Sequence, residues 1–303
     1  MKRWAPFAIV CLLAVGALIM SQKREATAEV GPNAILHFIA DSEREASRLP
    51  FQLTRLSDEE EIRIGDELAG RAGTPPNDAA RAFIADYVQR MGIVVAGRAH
   101  RQLPWRFHYL PDPGLVNAFA LPGGHVYIGQ GLLMLMDTED QLAAVLGHEV
   151  AHIDRYHCAE RVQTEAQARK LQLGIVGAVL QIPLAVFQAG YSKNQELEAD
   201  SVGLDLAVSA NYSPQGMIRL FEKLEALAGP NRGRADSPQE EAARVVFQTA
   251  GGYFRSHPYP EERVAEMRRI VARRGWENRI AERPLAVWSQ LHPEKQGQPE
   301  TAR

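Results

Sequence analysis

The spacing of apolar positions predicts a chain built mainly of amphipathic helices after about residue 56. Ser57, with Glu60 three residues later, has the form of a capping box, and an apolar stripe follows it as far as Gly70. Thr138 and Gln141 have the same form and precede a long helix with a buried apolar stripe. Further helices are predicted over 78–91, 192–209, 213–227 and 260–274.

Between residues 104 and 133 the pattern changes to short apolar runs separated by turn residues. Residues 105–110 and 125–128 are predicted strands, and the turn Pro122-Gly123-Gly124 precedes the second strand. We expect both strands to belong to one small sheet. The predicted fold class is therefore α+β and mostly helical.

The N-terminus has the form of an export signal. Lys2 and Arg3 precede an uncharged run over 4–20, and a small-x-small pattern ends at Ala28. Because this run nearly spans a bilayer, residues 1–28 are predicted to be either a cleaved signal peptide or a retained anchor. The chain is therefore expected to be exported, and to be periplasmic or attached through residues 4–20 to a membrane, facing the periplasm.

The remaining chain divides into a linker over 29–56, a catalytic domain over 57–290 and a disordered tail over 291–303. Residues 229–241 are predicted to form a flexible insertion. Residues 171–189 are mostly apolar, but glutamines and Pro183 interrupt them, which favours a buried core helix over a membrane span.

Charge and cysteine content exclude two further features. The formal net charge of -3 gives no excess of Lys and Arg, so a nucleic-acid partner is not expected. Beyond the export signal Cys158 is the only cysteine, so an intrachain disulfide is not possible. The core must therefore be held by packing and by any metal that the chain binds.

The candidate chemistry begins with His148 and His152, which stand four residues apart in the long predicted helix. Residues at this spacing share one helix face, so both imidazoles can reach the same zinc ion. Glu149 lies beside them, where its carboxylate can take a proton from a water molecule and carry it to a leaving amine. The pattern is short enough to arise by chance, so a third ligand is needed.

A third histidine just downstream is not expected to bind the metal. One known pattern has a third histidine six residues after the second histidine, with a glycine halfway between them. It is excluded here because the positions six and three residues after His152 are Cys158 and Arg155. His157 lies nine residues after His148, on the opposite side of a continuous helix. We expect His157 to be a packed or hydrogen-bonded structural residue.

A carboxylate from a later helix is the expected third ligand. Glu196 and Asp200 are four residues apart and share a face, whereas Glu198 is expected to face solvent. Glu196 would complete the ligand set, and Asp200 could accept the other ring N–H of a ligand histidine. The alternative interpretation is an acidic first turn that is favoured by the helix dipole.

With these residues identified, the chain resembles the zinc metallopeptidases that include HtpX, the CAAX prenyl protease and the periplasmic BepA-like enzymes. The resemblance runs from about residue 57 to residue 271. It rests on shared motifs at 117–124, 131–133, 148–152, 191–200 and 256–258. The family usually has arginine at the position of Lys193, so this chain lacks a bidentate donor there.

The resemblance implies a zincin-like catalytic domain of the gluzincin type, with a small sheet beside the helix of His148. It implies that His148, His152 and Glu196 bind one Zn²⁺ per chain, that Glu149 is the general base, and that Asp200 is hydrogen-bonded to His148.

The resemblance also implies a place for the substrate. The strand after Pro122 would be an edge on which an extended peptide pairs through backbone hydrogen bonds. Asn117, Ala118 and Gly124 would then contact the substrate. An alternative for Asn117 is a turn residue that follows Pro113-Gly114.

His257 has three open interpretations. In BepA-like relatives the matching histidine can approach the zinc from a loop and close the site, which would make His257 a removable fourth ligand. It could instead stabilise the oxyanion of the tetrahedral intermediate, or cap the helix that starts near Pro260.

Two functions follow from these residues. The first is a zinc-dependent endopeptidase that hydrolyses extended or misfolded envelope polypeptides in protein quality control. The alternative is a non-catalytic or conditionally active chaperone or assembly factor with a structural zinc. A prenyl-protein protease would need several transmembrane helices, which the sequence does not contain.

Overall fold

The computed structural model describes residues 55–71, 79–169, 182–188, 190–228, 253, 257, 260–277 and 283–292. All of these residues lie within one compact unit, Arg55–Arg303. The expected signal or anchor, residues 29–54 of the predicted linker, the flexible insertion and residues 293–303 of the predicted tail lie outside the described residues, as does most of the apolar segment 171–189. In the described residues of that segment, Leu184–Val186 forms a short 3₁₀-helix. The predicted disordered tail began too early, because Leu291 ends a short helix and both Leu291 and His292 are buried.

Helices form most of the described structure. In chain order they are α1 (Asp58–Ala69), α2 (Ala79–Ala96), α3 (Gln130–Leu133), α4 (Glu139–Asp154), α5 (His157–Ala168), α6 (Lys193–Ser209), α7 (Gly216–Ala228), α8 (Pro260–Arg274) and α9 (Trp288–Leu291). Within the described ranges, none of these helices is both long and apolar enough to cross a membrane.

Three helix starts are fixed by the capping boxes of their N-cap residues. The side chains of Ser57, Thr138 and Ser192 each accept a hydrogen bond from the backbone N–H three residues later, and the backbone N–H of each donates in return to the side-chain oxygen of that later residue. The helices predicted from Ser57 and Thr138 are confirmed, as are those over 192–209 and 260–274. The helix predicted over 78–91 continues to Ala96, and the one predicted from residue 213 starts at Gly216.

In the described part of the chain, one three-stranded sheet lies beside α4, in agreement with the small sheet that was predicted. Its strands are β1 (Arg106–Leu110), β2 (Ala118–Leu121) and β3 (His125–Gly129), in the spatial order β1-β3-β2. β1 runs parallel to β3, whereas β2 pairs with β3 antiparallel through a turn at Pro122–Gly124.

The sheet order corrects one expectation. The strand after Pro122 is β3, and it lies in the centre of the sheet because both other strands pair with it. The edge strand that contacts α4 is β2, which the apolar pattern did not predict. Any pairing at this edge must therefore involve residues 118–121.

The helix α4 forms the centre of the molecule, and every residue from Asp140 to Asp154 is buried. It packs closely on α6 because glycines meet at the contact. A Cβ atom on Gly147 would lie 2.7 Å from the carbonyl oxygen of Gly203, and one on Gly203 would lie 2.6 Å from the backbone nitrogen of His148. The side chains of these two helices can therefore converge on one point.

Candidate metal centre

Four buried side chains converge between α4 and α6. His148 and His152 come from α4, Glu196 comes from the first turn of α6, and His257 precedes α8. One potential ligand atom from each lies within 4.8 Å of all the others. Of the sequence-predicted site residues, the structure thus brings together the expected zinc ligands and the histidine with three open interpretations.

Four of the distances between these donor atoms are close to the edges of a tetrahedron around a metal ion, whereas His152 Nε2 lies farther from Glu196, 3.8 Å from its Oε1. His148 Nε2 lies 3.0 Å from His152 Nε2, 3.2 Å from His257 Nδ1 and 3.5 Å from Glu196 Oε2. His257 Nδ1 lies 3.2 Å from Glu196 Oε2. Donors bound tetrahedrally to zinc are roughly 3.3 Å apart. His148 Nε2 carries at most one proton, so a hydrogen bond from it could satisfy only one of its three neighbouring atoms. A divalent ion between the four atoms would bind all of them, so the donor set fits such an ion.

The carboxylate of Glu149 is also directed at this centre. Within the described part of the chain, neither of its oxygens has a hydrogen-bond partner, and Glu196 Oε1 has none either. Such buried oxygens are costly unless an ion or a water molecule satisfies them. Burial raises the pKa of Glu149, which suits a group that must accept and release a proton.

The ring nitrogen of His148 that points away from the cluster, Nδ1, contacts a buried ion pair between Asp200 and Arg263. His148 Nδ1 lies 2.9 Å from Asp200 Oδ1, the contact that the resemblance implied. Arg263 of α8 donates to both Asp200 oxygens, from Nε and from an Nη atom, each at 2.6 Å. It also lies 3.0 Å from Glu196 Oε2 and donates to the carbonyl of His257 at 3.2 Å.

Arg263 was not predicted from the sequence, although it contacts four predicted site residues: His148, Glu196, Asp200 and His257. α8 carries five arginines at 263, 268, 269, 273 and 274, and only the first is buried. The signal that could have identified it is its position on the apolar face of that helix, beside Val264 and Met267.

Electrostatics divide these side chains among anionic, cationic and neutral groups. Burial would raise the pKa of Glu196, but His257 and Arg263 lower it well below its usual value, so Glu196 is ionised. Burial would lower the pKa of His148, but hydrogen bonds to Asp200 and Glu196 raise it to about 9. Burial and the neighbouring His148 lower the pKa of His152 well below its usual value.

His152 is held on its face and on its outer edge. Tyr191 stacks on its ring with 3.9 Å between centroids, and Arg161 lies over the other face of Tyr191. His157 Nδ1 lies 2.9 Å from His152 Nδ1, and His157 Nε2 lies 3.4 Å from Glu198 Oε2.

One expectation about this region is wrong, and a second is incomplete. His157 was placed on the opposite side of a continuous helix, but α4 ends at Asp154 and a left-handed residue, Tyr156 (φ 64°), redirects the chain. His157 therefore begins α5 beside His152. Glu198 was expected to face solvent, but its side chain is only 35% exposed and contacts His157.

His257 contacts three parts of the centre at once. Beyond its Nδ1 contacts, its Nε2 lies 3.3 Å from Glu149 Oε1 and 3.4 Å from the carbonyl oxygen of Ala118. The side chain is 2% exposed. In this conformation His257 fills the space between the predicted general base and the edge strand.

The three residues expected to contact substrate lie in different places. Asn117 directly precedes β2, and its carbonyl accepts a hydrogen bond from the Gly129 N–H. Ala118 begins β2 next to His257. Gly124 lies beyond the other end of β2, where its backbone (φ 104°) packs against Pro104, so the structure does not bring it to the metal cluster.

Lys193, where the resembling family has arginine, starts α6 and forms an ion pair with Glu262 of α8. Both side chains are about half exposed, so the pair joins the two helices at the surface. A single ammonium is sufficient for this contact.

The sequence pattern of peptidase family M48 matches residues 78–271 of this chain. A mitochondrial metalloendopeptidase OMA1 from Schizosaccharomyces pombe is 35% identical over 151 residues, covering 47% of this chain and 44% of that protein.

Two Escherichia coli proteins are also similar. The beta-barrel assembly-enhancing protease is 27% identical over 235 residues, covering 70% of this chain and 44% of that protein. The metalloprotease LoiP is 30% identical over 164 residues, covering 50% of this chain and 58% of that protein. The chain thus spans about half the length of the curated relatives that it matches.

Proposed function

This chain belongs to peptidase family M48, and we propose that it is a zinc-dependent endopeptidase acting on exported polypeptides. The observation that carries the proposal is the buried cluster of His148, His152, Glu196 and His257, whose donor atoms are spaced as around a zinc ion. The family supports a divalent metal, and two imidazoles with one carboxylate form a common ligand set of catalytic zinc.

His148, His152 and Glu196 would hold the zinc. When bound, the ion would lower the pKa of a water molecule and polarise the carbonyl of the peptide bond to be cleaved. Asp200 would fix the ring of His148 by accepting its Nδ1 proton, and Arg263 would keep Asp200 and Glu196 ionised.

Glu149 would be the general base. Its carboxylate lies at the centre without a hydrogen-bond partner among the described residues, and burial raises its pKa. A base with a raised pKa can take a proton from water and release it to the leaving amine. A carboxylate that was already engaged in strong hydrogen bonds would be a weaker base.

An extended substrate would pair with the outer edge of β2. The carbonyl of Asn117 bonds to β3, so by strand alternation the backbone groups of Ala118 and Ala120 point away from β3. In this conformation the Ala118 N–H donates to Asn117 Oδ1 and the Ala120 carbonyl accepts from Cys158 Sγ, so a substrate would have to displace these contacts. The Ala118 carbonyl lies near His257 and therefore close to the metal cluster. Backbone pairing at such an edge binds many sequences, which suits misfolded substrates.

We propose further that His257 closes the site as a fourth, removable ligand. Its Nδ1 takes a position within ligand distance of the cluster, while its Nε2 lies between Glu149 and Ala118. A substrate carbonyl would need the same space, so His257 must leave before cleavage. This arrangement supports the ligand interpretation of His257 over an oxyanion stabiliser or a helix cap.

The place of action is inferred from the N-terminal sequence and from the relatives. Lys2 and Arg3 before an apolar run indicate export, and an E. coli relative is named as a protease that enhances beta-barrel assembly. A role in quality control of envelope proteins fits both. The runner-up is a chaperone or assembly factor, which four permanent protein ligands on the zinc would favour.

The deciding experiment compares zinc content and casein cleavage in the wild type, Glu149→Gln and His257→Ala. We expect one zinc per chain in all three proteins. Glu149→Gln should reduce cleavage by about 10²-fold or more because the general base is lost, whereas His257→Ala should cleave faster than the wild type. The double variant His257→Ala/Glu149→Gln is the control that excludes a contaminating protease.

Each alternative has its own outcome. Equal cleavage by the wild type and Glu149→Gln would contradict the mechanism, and absence of zinc from all proteins would contradict the site. Suppression of casein aggregation that is independent of Glu149, with no cleavage by His257→Ala, would favour the chaperone. Slower cleavage by His257→Ala would indicate an oxyanion stabiliser, and unchanged cleavage would leave only the helix cap.

A further inference from the structure

A chain of two side chains leads from His152 to the protein surface. His152 and His157 are both fully buried, with 2.9 Å between their Nδ1 atoms. His157 Nε2 lies 3.4 Å from Glu198 Oε2, and the Glu198 side chain is 35% exposed. The left-handed turn at Tyr156 creates this contact, because it starts α5 with His157 facing back toward α4.

The contact fixes which ring nitrogens carry protons. His152 Nε2 faces the other donor atoms of the cluster, so it can bind a metal only if its proton is on Nδ1. His152 Nδ1–H then donates to His157 Nδ1, which must be the unprotonated nitrogen of that ring. The proton of His157 is therefore on Nε2, which points toward the Glu198 carboxylate.

We propose that His157 and Glu198 are positioning residues that hold His152 in the orientation and tautomer required for zinc binding. This inference rests on the proposed zinc site. Partners behind a ligand histidine raise its basicity and fix its ring, and their loss typically weakens metal binding 10–100-fold. His148 has Asp200 directly behind it, whereas His152 reaches its carboxylate through a second imidazole.

Stacking on Tyr191 does not replace this role. The Tyr191 ring lies nearly parallel to His152, at an interplanar angle of 18°, so it restrains the plane of the imidazole. A stacked ring offers no acceptor in that plane, and it cannot distinguish the two tautomers. His157 lies at the ring edge, where it can accept the Nδ1 proton.

The test uses His157→Asn and His157→Leu, with zinc affinity measured by competition with a chelator of known strength. Asn Oδ1 can occupy the position of His157 Nδ1 and accept the same proton, whereas Leu offers a similar volume without an acceptor. We expect His157→Leu to bind zinc about 10–100-fold more weakly and His157→Asn to stay within about threefold of the wild type. Circular dichroism of the zinc-free proteins reports whether each variant is folded.

The Glu198 end is tested separately, because that side chain is partly exposed and its loss should not prevent folding. Glu198→Ala should weaken zinc binding severalfold, and Glu198→Gln, which keeps an acceptor oxygen, should weaken it less. Glu165→Ala is the matched control. Glu165 is similarly exposed, at 28%, and bonds to Arg169 rather than to a site residue.

The outcomes separate this inference from the proposed function. If the wild type binds zinc and either His157→Leu matches it or His157→Asn is as weak as His157→Leu, the positioning role is wrong while the peptidase proposal stands. If His157→Leu does not fold, Glu198→Ala and His157→Asn decide, and wild-type affinity in Glu198→Ala overturns the role of the carboxylate. If the wild type binds no zinc, both proposals fall.

Discussion

Among individual residues, Arg263 supplies a buried cation beside the two carboxylates of Asp200 and Glu196. It is fully buried, and its guanidinium contacts Asp200 through two hydrogen bonds and lies 3.0 Å from Glu196. Its pKa is raised, because the attraction of Asp200 outweighs the effect of burial. Two carboxylates can remain ionised in this interior only while a matching cation stays beside them.

Replacing Arg263 by methionine should therefore lower the free energy of unfolding of the zinc-free protein by about 3–5 kcal/mol. Arg263→Lys keeps a charge but loses the bidentate geometry, so its free energy of unfolding should lie between those of the wild type and Arg263→Met. The measurement is urea unfolding in the presence of a chelator. Arg268→Met, on the exposed face of the same helix, should change stability by less than about 1 kcal/mol. Equal losses from Arg263→Met and Arg268→Met would contradict this assignment.

The sequence predicts the ligand residues more readily than their partners. His148, Glu149 and His152 form a local pattern, and Glu196 with Asp200 forms another, because helix geometry alone aligns them. The partners come from other helices: α8 contributes Arg263, 63 residues after Asp200, and α5 contributes His157, which follows the break at Tyr156. No helical spacing relates these positions to the ligands, so only the fold brings them together.

Among the helices and strands, the contact between α4 and α6 determines whether the ligands can meet. Gly203 is the critical position, because its Cβ would lie 2.6 Å from the backbone nitrogen of His148 and backbone atoms cannot move aside. Gly203→Ala should force the helices apart, destabilise the protein by about 1–3 kcal/mol and weaken zinc binding. The measurements are thermal unfolding and zinc competition.

Gly70→Ala is the control for the Gly203 prediction. Gly70 is exposed and helical (φ −57°), and its added Cβ would meet no atom closer than 3.6 Å. Alanine generally favours helical backbone over glycine, so this variant should be neutral or slightly stabilising. If Gly203→Ala were equally harmless, the close approach would not control the site.

Some helices and strands could be predicted from the sequence and others could not, and the difference has physical causes. Capping boxes at Ser57 and Thr138 identify helix starts because the residues that satisfy the first N–H groups lie within the same turn. The break at Tyr156 has no such signal, since tyrosine rarely adopts positive φ. β2 consists of the buried run Ala118–Leu121, which lacks polar alternation because both of its faces are covered.

For the protein as a whole, metal binding and folding stability should be linked. The four donor side chains are buried in the folded protein and come from separate segments, so an unfolded chain would not present them together. Zinc should therefore stabilise the folded state by an amount that grows with its concentration. Without zinc, the stability of the folded protein depends on the ionisation states of the same four donor side chains.

The zinc-free protein should consequently lose stability as pH rises above neutrality. Its His148 has a pKa raised to about 9 by Asp200 and Glu196, against an ordinary value of 6.5. A raised histidine pKa gives stability that is fully present below 6.5 and is lost as pH rises through 9. The loss amounts to at most about 3 kcal/mol.

The zinc-loaded protein should not show this loss, because the metal requires His148 Nε2 to be unprotonated throughout that range. His152 adds little to either profile between pH 6.5 and 9, since its pKa is low in the folded state and it is largely neutral in the unfolded chain. Urea unfolding at several pH values, with zinc and with chelator, measures the difference. Parallel pH profiles for the two forms would show either that His148 does not bind the metal or that its pKa is not raised in the zinc-free protein.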